Sequence, residues 1–249
     1  MRKTVYEIKN EKIKKGTVFA LVSDLHGADP ALIIKMLQKE TPDYILLPGD
    51  ILEELNGVCD EKYNNGMKLL TESAKIAPTF YSMGNHEDGA TRSWSMKWKK
   101  TVKSREYNEK CVEDINRSGA HFLADGYTVY DGIAFGGLLT GLIFEGRKPR
   151  TGWLEGFYKL PEPKILLCHH PEYYEEYLKD KDIDLIVSGH AHGGQWRIFG
   201  RGLFAPGQGL FPKYTKGLYD NKFVISTGLK KGSIPRFFNP TEIVFIKTV

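Results

Sequence analysis

Five short apolar runs, each ending directly in a cluster of Asp, Asn or His, constrain this chain more than any other feature. The run at 17–23 leads into Asp24-Leu25-His26, that at 44–48 into Gly49-Asp50, and that at 79–83 into Gly84-Asn85-His86-Glu87. The run at 164–168 leads into His169-His170-Pro171, and that at 184–188 into Gly189-His190-Ala191-His192-Gly193-Gly194-Gln195. Runs of this length, bounded by Gly, Pro and Asp, read as buried strands. Two more lie at 223–227 and 242–247. Helices are expected at 29–40, with Asp29 as N-cap and Pro30 at the first helical position, and at 59–77. Strand and helix alternate through the first half of the chain, which predicts an α/β fold with sheets at the centre and helices outside.

The placement of the polar clusters has a physical reason. In layered α/β folds the carboxyl ends of the strands open into one crevice, where ligands bind. Glycines at 49, 84, 189, 193 and 194 let the backbone turn sharply there. Asp24 and His26 are two apart, as are His190 and His192, a spacing that puts both side chains on one face of an extended segment. Taken singly, each cluster is more often a turn than a metal site. Together they differ, because six of the seven histidines fall in them and only His121 does not. His121 is read as structural.

Two Asp, one Asn and several His form a mixed oxygen and nitrogen donor set without thiolate. It suits Zn²⁺, Mn²⁺ or Fe and argues against a structural cysteine-rich zinc site. Seven donors are too many for one tetrahedral ion. They are the right number for two ions about 3.5–4 Å apart that share one carboxylate, an arrangement suited to phosphate chemistry.

The rest of the composition narrows the class. The length of 249 residues, without a Pro/Gly/Ser-rich linker, leads us to expect a single domain over 1–249. The net charge of +4, from 35 basic and 31 acidic residues, marks no dedicated nucleic-acid module. Cys59, Cys111 and Cys168 are odd in number and form no CxxC pair, which points to a reducing compartment. The basic N-terminal stretch lacks the apolar core of a secretion signal, and no apolar run is long enough for a transmembrane segment. The expected location is cytoplasmic.

In this order, DLH at 24–26, GD at 49–50, GNHE at 84–87, the CHHP histidine at 169 and GHAH at 189–192 resemble the calcineurin-like metallophosphoesterases. The GHAHGGQ extension and the tail STGLKKGSIPRFFNPTEIVFI are similar to the small bacterial phosphodiesterase branch, related to UDP-diacylglucosamine hydrolases. The resemblance implies a four-layer α/β/β/α sandwich of two mixed sheets flanked by helices. It implies two divalent ions, Mn, Fe or Zn, with Asp24, His26, Asp50 and His192 on the first. Asp50, Asn85, His169 and His190 would hold the second. The family has a His, one variable residue and then Pro, which selects His169 over His170 and leaves His170 a secondary role or none. His86 corresponds to the family's catalytic histidine, beside the leaving-group oxygen. The function implied is a dinuclear phosphoesterase, a phosphodiesterase or pyrophosphatase, in which metal-activated hydroxide attacks phosphorus. One departure is that nuclease and protein-phosphatase branches often carry Asp and then Arg shortly after the GD, where this chain has Ile51-Leu52-Glu53-Glu54.

Substrate choice points to three further places. Residues 90–105 hold six basic residues and no acid, and Trp94, Trp98 and Val102 share one side of a helix there. This segment reads either as part of a basic helical cap at about 88–118, open to peripheral membrane contact, or as a helix docking its tryptophans on the body. Lys230, Lys231 and Arg236 are candidates to touch substrate phosphate. The aromatic stretch 196–219 either lines the cleft or packs as a rigid hairpin on the sheet. Two alternatives stand beside the phosphate-ester hydrolase: a non-catalytic metal-binding scaffold and a nuclease.

Overall fold

Strands buried on both faces read as continuous apolar runs, and alternate residues then serve two different cores. That is the organising fact of this chain, whose computed structural model describes residues 1–53, 61–87, 109–141, 148–229 and 235–249. Two six-stranded sheets are formed. The first has the order β1 (Arg2–Ile8), β16 (Glu242–Thr248), β2 (Val18–Leu21), β3 (Tyr44–Pro48), β4 (Thr79–Ser82) and β5 (His121–Phe122). Only its β16–β2 pair is antiparallel. The second has the order β14 (Gly217–Tyr219), β15 (Phe223–Ile225), β9 (Leu185–Ser188), β8 (Lys164–Cys168), β7 (Ile133–Leu138) and β6 (Gly126–Tyr130). Its inner strands are parallel and its two edge pairs antiparallel.

Side-chain alternation builds three cores between four layers. Phe19, Leu21, Tyr44, Leu46 and Phe80 of the first sheet meet Phe135, Ile165, Leu167 and Val187 of the second. Their neighbours Ala20, Ile45, Leu47 and Tyr81 face the opposite way, onto α1 (Ala31–Glu40), α2 (Glu61–Ile76) and α3 (Glu109–Arg117). On the far side Leu166, Cys168 and Ile186 pack against Leu154 and Phe157 of α4 (Leu154–Tyr158) and a wide helical turn at Tyr174–Leu178. The result is the α/β/β/α order that the resemblance implied.

Several local expectations shift. Helix α1 begins at Ala31, so Pro30 occupies the N-cap and Asp29 lies one residue before it; the Asp29 carboxylate accepts from the Ala31 N–H at 3.0 Å. The described helix α2 spans Glu61–Ile76. Residues 88–108, with Trp94 and Trp98, lie outside the described residues, as do Cys59, Lys230 and Lys231. The remainder of the expected cap includes α3, whose Cys111 and Ile115 belong to the core between the first sheet and its helices. The stretch 196–219 folds as two small hairpins, β10 (Arg197–Ile198) with β11 (Arg201–Gly202) and β12 (Phe204–Ala205) with β13 (Gly209–Leu210), before reaching β14. Among the described residues no helix is long and apolar enough to cross a membrane.

Candidate metal centre

The parallel strands β2, β3, β4, β8 and β9 all deliver their carboxyl ends to one place, and every candidate ligand follows directly. Asp24, His26 and His192 form one group whose ligand atoms lie within 4.8 Å of one another. Asp50, His169 and His190 form a second. Asp50 Oδ2 sits between them, 3.4 Å from His26 Nε2 and 3.2 Å from His169 Nε2. Asp24 Oδ1 is 3.8 Å from both His26 Nε2 and His192 Nδ1.

The local backbone differs from the extended arrangement expected for the two Asp/His and His/His pairs. Strand β2 stops at Leu21 and β9 at Ser188, and Asp24, His26, Asp50, His190 and His192 all have positive φ, between 47° and 62°. The side chains therefore converge from tight turns. Left-handed backbone costs a non-glycine residue about 1–2 kcal/mol, so five such residues in one crevice mark a place where the fold holds strain for a purpose. Glycine is required where these turns touch. A Cβ on Gly84 would stand 2.3 Å from Asp50 Oδ1, and one on Gly189 would stand 2.4 Å from Asp24 Oδ2.

Outer groups fix the candidate ligands. Asp24 accepts the His190 N–H at 3.0 Å, and Asp50 Oδ1 accepts the His86 N–H at 3.1 Å. His169 Nδ1 donates to the Pro48 carbonyl at 2.7 Å, which turns Nε2 toward Asp50. Glu53 binds Nδ1 of both His26 and His86. Glu87 is buried and collects five donors: the N–H groups of Asp50, Ile51, Leu52 and Gly84, and the Tyr81 hydroxyl, at 2.6–3.0 Å. One carboxylate thus clamps the loop after β3 to the loop after β4. His170 stands outside the two groups; its Nδ1 pairs with Glu172 at 2.8 Å, and its ring lies 4.0 Å from that of His190. Asn239 donates to the carbonyls of His192 and Gln195, tying the C-terminal segment to the GHAHGGQ turn. Arg236 donates to the Thr227 carbonyl at 2.8 Å and reaches 3.5 Å from His192 Nδ1, at the edge of the site.

The electrostatics are those of a crowded, buried cluster. Burial alone would raise the Asp50 carboxyl, but His169, His26 and His86 hold it well below the usual range. Burial disfavours charge on His169, yet Asp50, Asp24 and Glu87 push it up to about 10. His86 follows the same logic: against burial, Glu53 and Asp50 raise it to about 9. Glu53, though desolvated, is pulled down to about 2 by its two histidines. Burial and the neighbouring histidines depress His190 well below its ordinary value; burial foremost brings His192 down to about 4. Burial and the Asp50 charge lift Glu87 to about 7 against the pull of its N–H donors.

This donor set fits divalent cations on an observation independent of the motifs. His26 Nε2, His169 Nε2 and Asn85 Oδ1 are buried, and none finds a hydrogen-bond partner among the described residues. Buried polar atoms are nearly always satisfied. Two of these orphans face one carboxylate, that of Asp50, as a site built for ions leaves them. Glu53, Glu87, Glu172 and Asn239 carry parts of this architecture that the sequence reading gave no role. Glu87 stood inside the GNHE motif, and its place one residue after a cluster His was the one available signal.

The sequence model of the calcineurin-like phosphoesterase family matches residues 17–194. The chain belongs to that family, hydrolases of phosphoric esters that use divalent metals. Among similar proteins, an uncharacterized metallophosphoesterase of Helicobacter pylori (strain ATCC 700392 / 26695) is 26% identical over 262 residues, covering 95% of this chain and 61% of that protein. A metallophosphoesterase of Aquifex aeolicus is 27% identical over 265 residues, covering 99% and 91%. Phosphodiesterase YaeI of Escherichia coli is 27% identical over 164 residues, covering 64% and 52%. The chain therefore spans only about three fifths of the Helicobacter relative's length.

Proposed function

We propose that this chain is a dinuclear metal-dependent phosphoesterase, with a phosphodiester or pyrophosphate as substrate. The observation that carries the reading is Asp50 Oδ2, lying 3.2–3.4 Å from an unsatisfied nitrogen of each flanking group. Asp24, His26, Asp50 and His192 would hold one ion, and Asp50, Asn85, His169 and His190 the other, with Mn, Fe or Zn suiting these donors. When bound, two such ions polarise phosphoryl oxygens and lower the pKa of water. The diester preference draws support from the likeness to YaeI.

The chain's own residues do the rest. Glu53 holds His86 through Nδ1, so Nε2 is the free nitrogen, and the side chain is about one-third exposed. Raised to about 9, His86 is protonated at neutral pH and able to give a proton to a leaving alkoxide. Arg236, at the edge of His192, would meet a phosphoryl oxygen. We take 1–249 as one catalytic unit, because its first and last strands pair with each other in the first sheet. Free, buried Cys111 and Cys168 support a cytoplasmic setting.

The test is hydrolysis of bis-p-nitrophenyl phosphate by metal-stripped protein with and without Mn²⁺, beside the Asp50→Asn variant. Metal-dependent turnover, lost by at least about a hundredfold in a folded variant, is expected. Metal binding without turnover of diester, monoester or pyrophosphate would favour the scaffold alternative.

A further inference from the structure

Single exposed apolar residues are ordinary on a protein surface, but a contiguous exposed patch is not. Fifteen large hydrophobic side chains stand exposed among the described residues, and eight of them fall within 196–211 and 237–238. Phe199 is 101% exposed, Phe238 89%, Phe211 76% and Leu210 74%.

These residues form one rim. Phe204 pairs with Leu210 in the β12–β13 hairpin, and the Phe211 N–H donates to the Leu203 carbonyl. The Arg197 N–H donates to the Phe237 carbonyl at 3.0 Å, and the rings of Trp196 and Phe237 lie 6.3 Å apart. The rim is also fixed to the site. The Leu203 N–H donates to the Gly194 carbonyl, Arg197 to that of Gly193, and Asn239 to that of His192. Phe199, Phe211 and Phe238 each have a left-handed backbone, with φ of 48–53°. A bulky aromatic in left-handed backbone is strained, and here the strain presents three rings to solvent.

The charge on these loops has one sign. Residues 193–219 contain Arg197, Arg201, Lys213 and Lys216 and no acid. Lys213 meets Glu175 and Lys216 meets Glu242, whereas among the described residues no ion pair takes up the exposed Arg201. Exposed aromatic rings beside the Arg201 cation match the interface of an anionic bilayer, where rings enter the headgroup layer and cations meet phosphate. A second protein would need a fitted socket for each of three protruding rings; a bilayer needs none.

We propose that the 196–211 and 237–238 loops dock this protein on an anionic lipid surface and bring the mouth of the metal centre against the headgroups. Binding is measured without turnover, so this surface stands or falls apart from the phosphoesterase reading. The experiment is co-sedimentation of the whole chain with phosphatidylcholine vesicles, with and without phosphatidylglycerol, beside Phe199→Ser/Phe211→Ser/Phe238→Ser and Arg201→Glu. Thermal unfolding and size-exclusion chromatography of each protein accompany it. The parent should bind the anionic vesicles, the triple variant at least about tenfold more weakly, and Arg201→Glu should lose the preference for phosphatidylglycerol. All should unfold at one temperature and elute as one species. A parent that stays in the supernatant, or a folded triple variant that sediments as well as the parent, overturns the proposal. A parent dimer that the triple variant converts to monomer assigns the rim to a second copy and overturns it as well.

Discussion

Glu87 shows what a single residue contributes beside the ligands. Its carboxylate accepts from the buried N–H groups of Asp50, Ile51, Leu52 and Gly84. Glu87→Gln would set an amide NH₂ against some of these donors, and a buried donor left unpaired costs about 1–3 kcal/mol. The variant should lose at least about 2 kcal/mol in urea denaturation; an unchanged midpoint would refute the clamp. His169 gives a second expectation. Raised to about 10 by Asp50, it keeps its proton throughout the neutral range, and a cation must displace that proton to bind Nε2. His190 and His192, both depressed, are already neutral there. Metal affinity should therefore rise with pH below about 10, by up to tenfold per unit for one proton, with about one proton released near pH 7. Calorimetry of Mn²⁺ binding in two buffers of different ionisation enthalpy reads this directly, and a pH-independent affinity would contradict it. The Asp and His clusters could be read from sequence because each directly follows a strand. Glu53, Glu172 and Asn239 could not, since a lone Glu or Asn in a loop has the same local signature whether it is solvated or turned inward.

At the scale of elements, the two sheets meet through aromatic rings. Phe80 of β4 and Phe135 of β7 stack with centroids 3.6 Å apart and planes at 8°, and His121 also stacks on Phe80, at 4.9 Å. That position for His121 agrees with its structural reading. Phe135→Ala should cost about 3–5 kcal/mol, because neither sheet can close the gap without moving its neighbours; a loss under about 1 kcal/mol would mean the sheets do not depend on this contact. The buried strands β3, β4 and β8 were readable as apolar runs because both their faces are covered. Edge strands were not. Strand β1 carries Arg2, Lys3 and Glu7 on its exposed positions, and β6 exposes most of its residues, so neither forms a run. The short hairpins of 196–211 are defined by turns and by contacts with the site rather than by periodicity.

For the whole molecule, the chain's two ends meet. Strand β16 lies between β1 and β2, paired over seven residues with the first and four with the second. Glu242 at its start binds Lys216, Thr4 and the Thr227 N–H, joining the sheet to the segment that leads to Asp24 through Leu229. Removing residues 242–249 splits the first sheet, and the truncated chain should lack a cooperative thermal transition by calorimetry. A native-like transition would show that β16 is dispensable. The sequence offered the apolar run at 242–247 but nothing to say which strands it joins, since register between distant segments leaves no local mark.

Whether Asp50 joins two cation sites is read by titrating Mn²⁺ into metal-stripped protein while following bis-p-nitrophenyl phosphate hydrolysis. Activity should saturate at about two equivalents, with Asp50→Asn folded but inactive at any metal concentration. Full activity at about one equivalent, or an active Asp50→Asn protein, would contradict that role of Asp50.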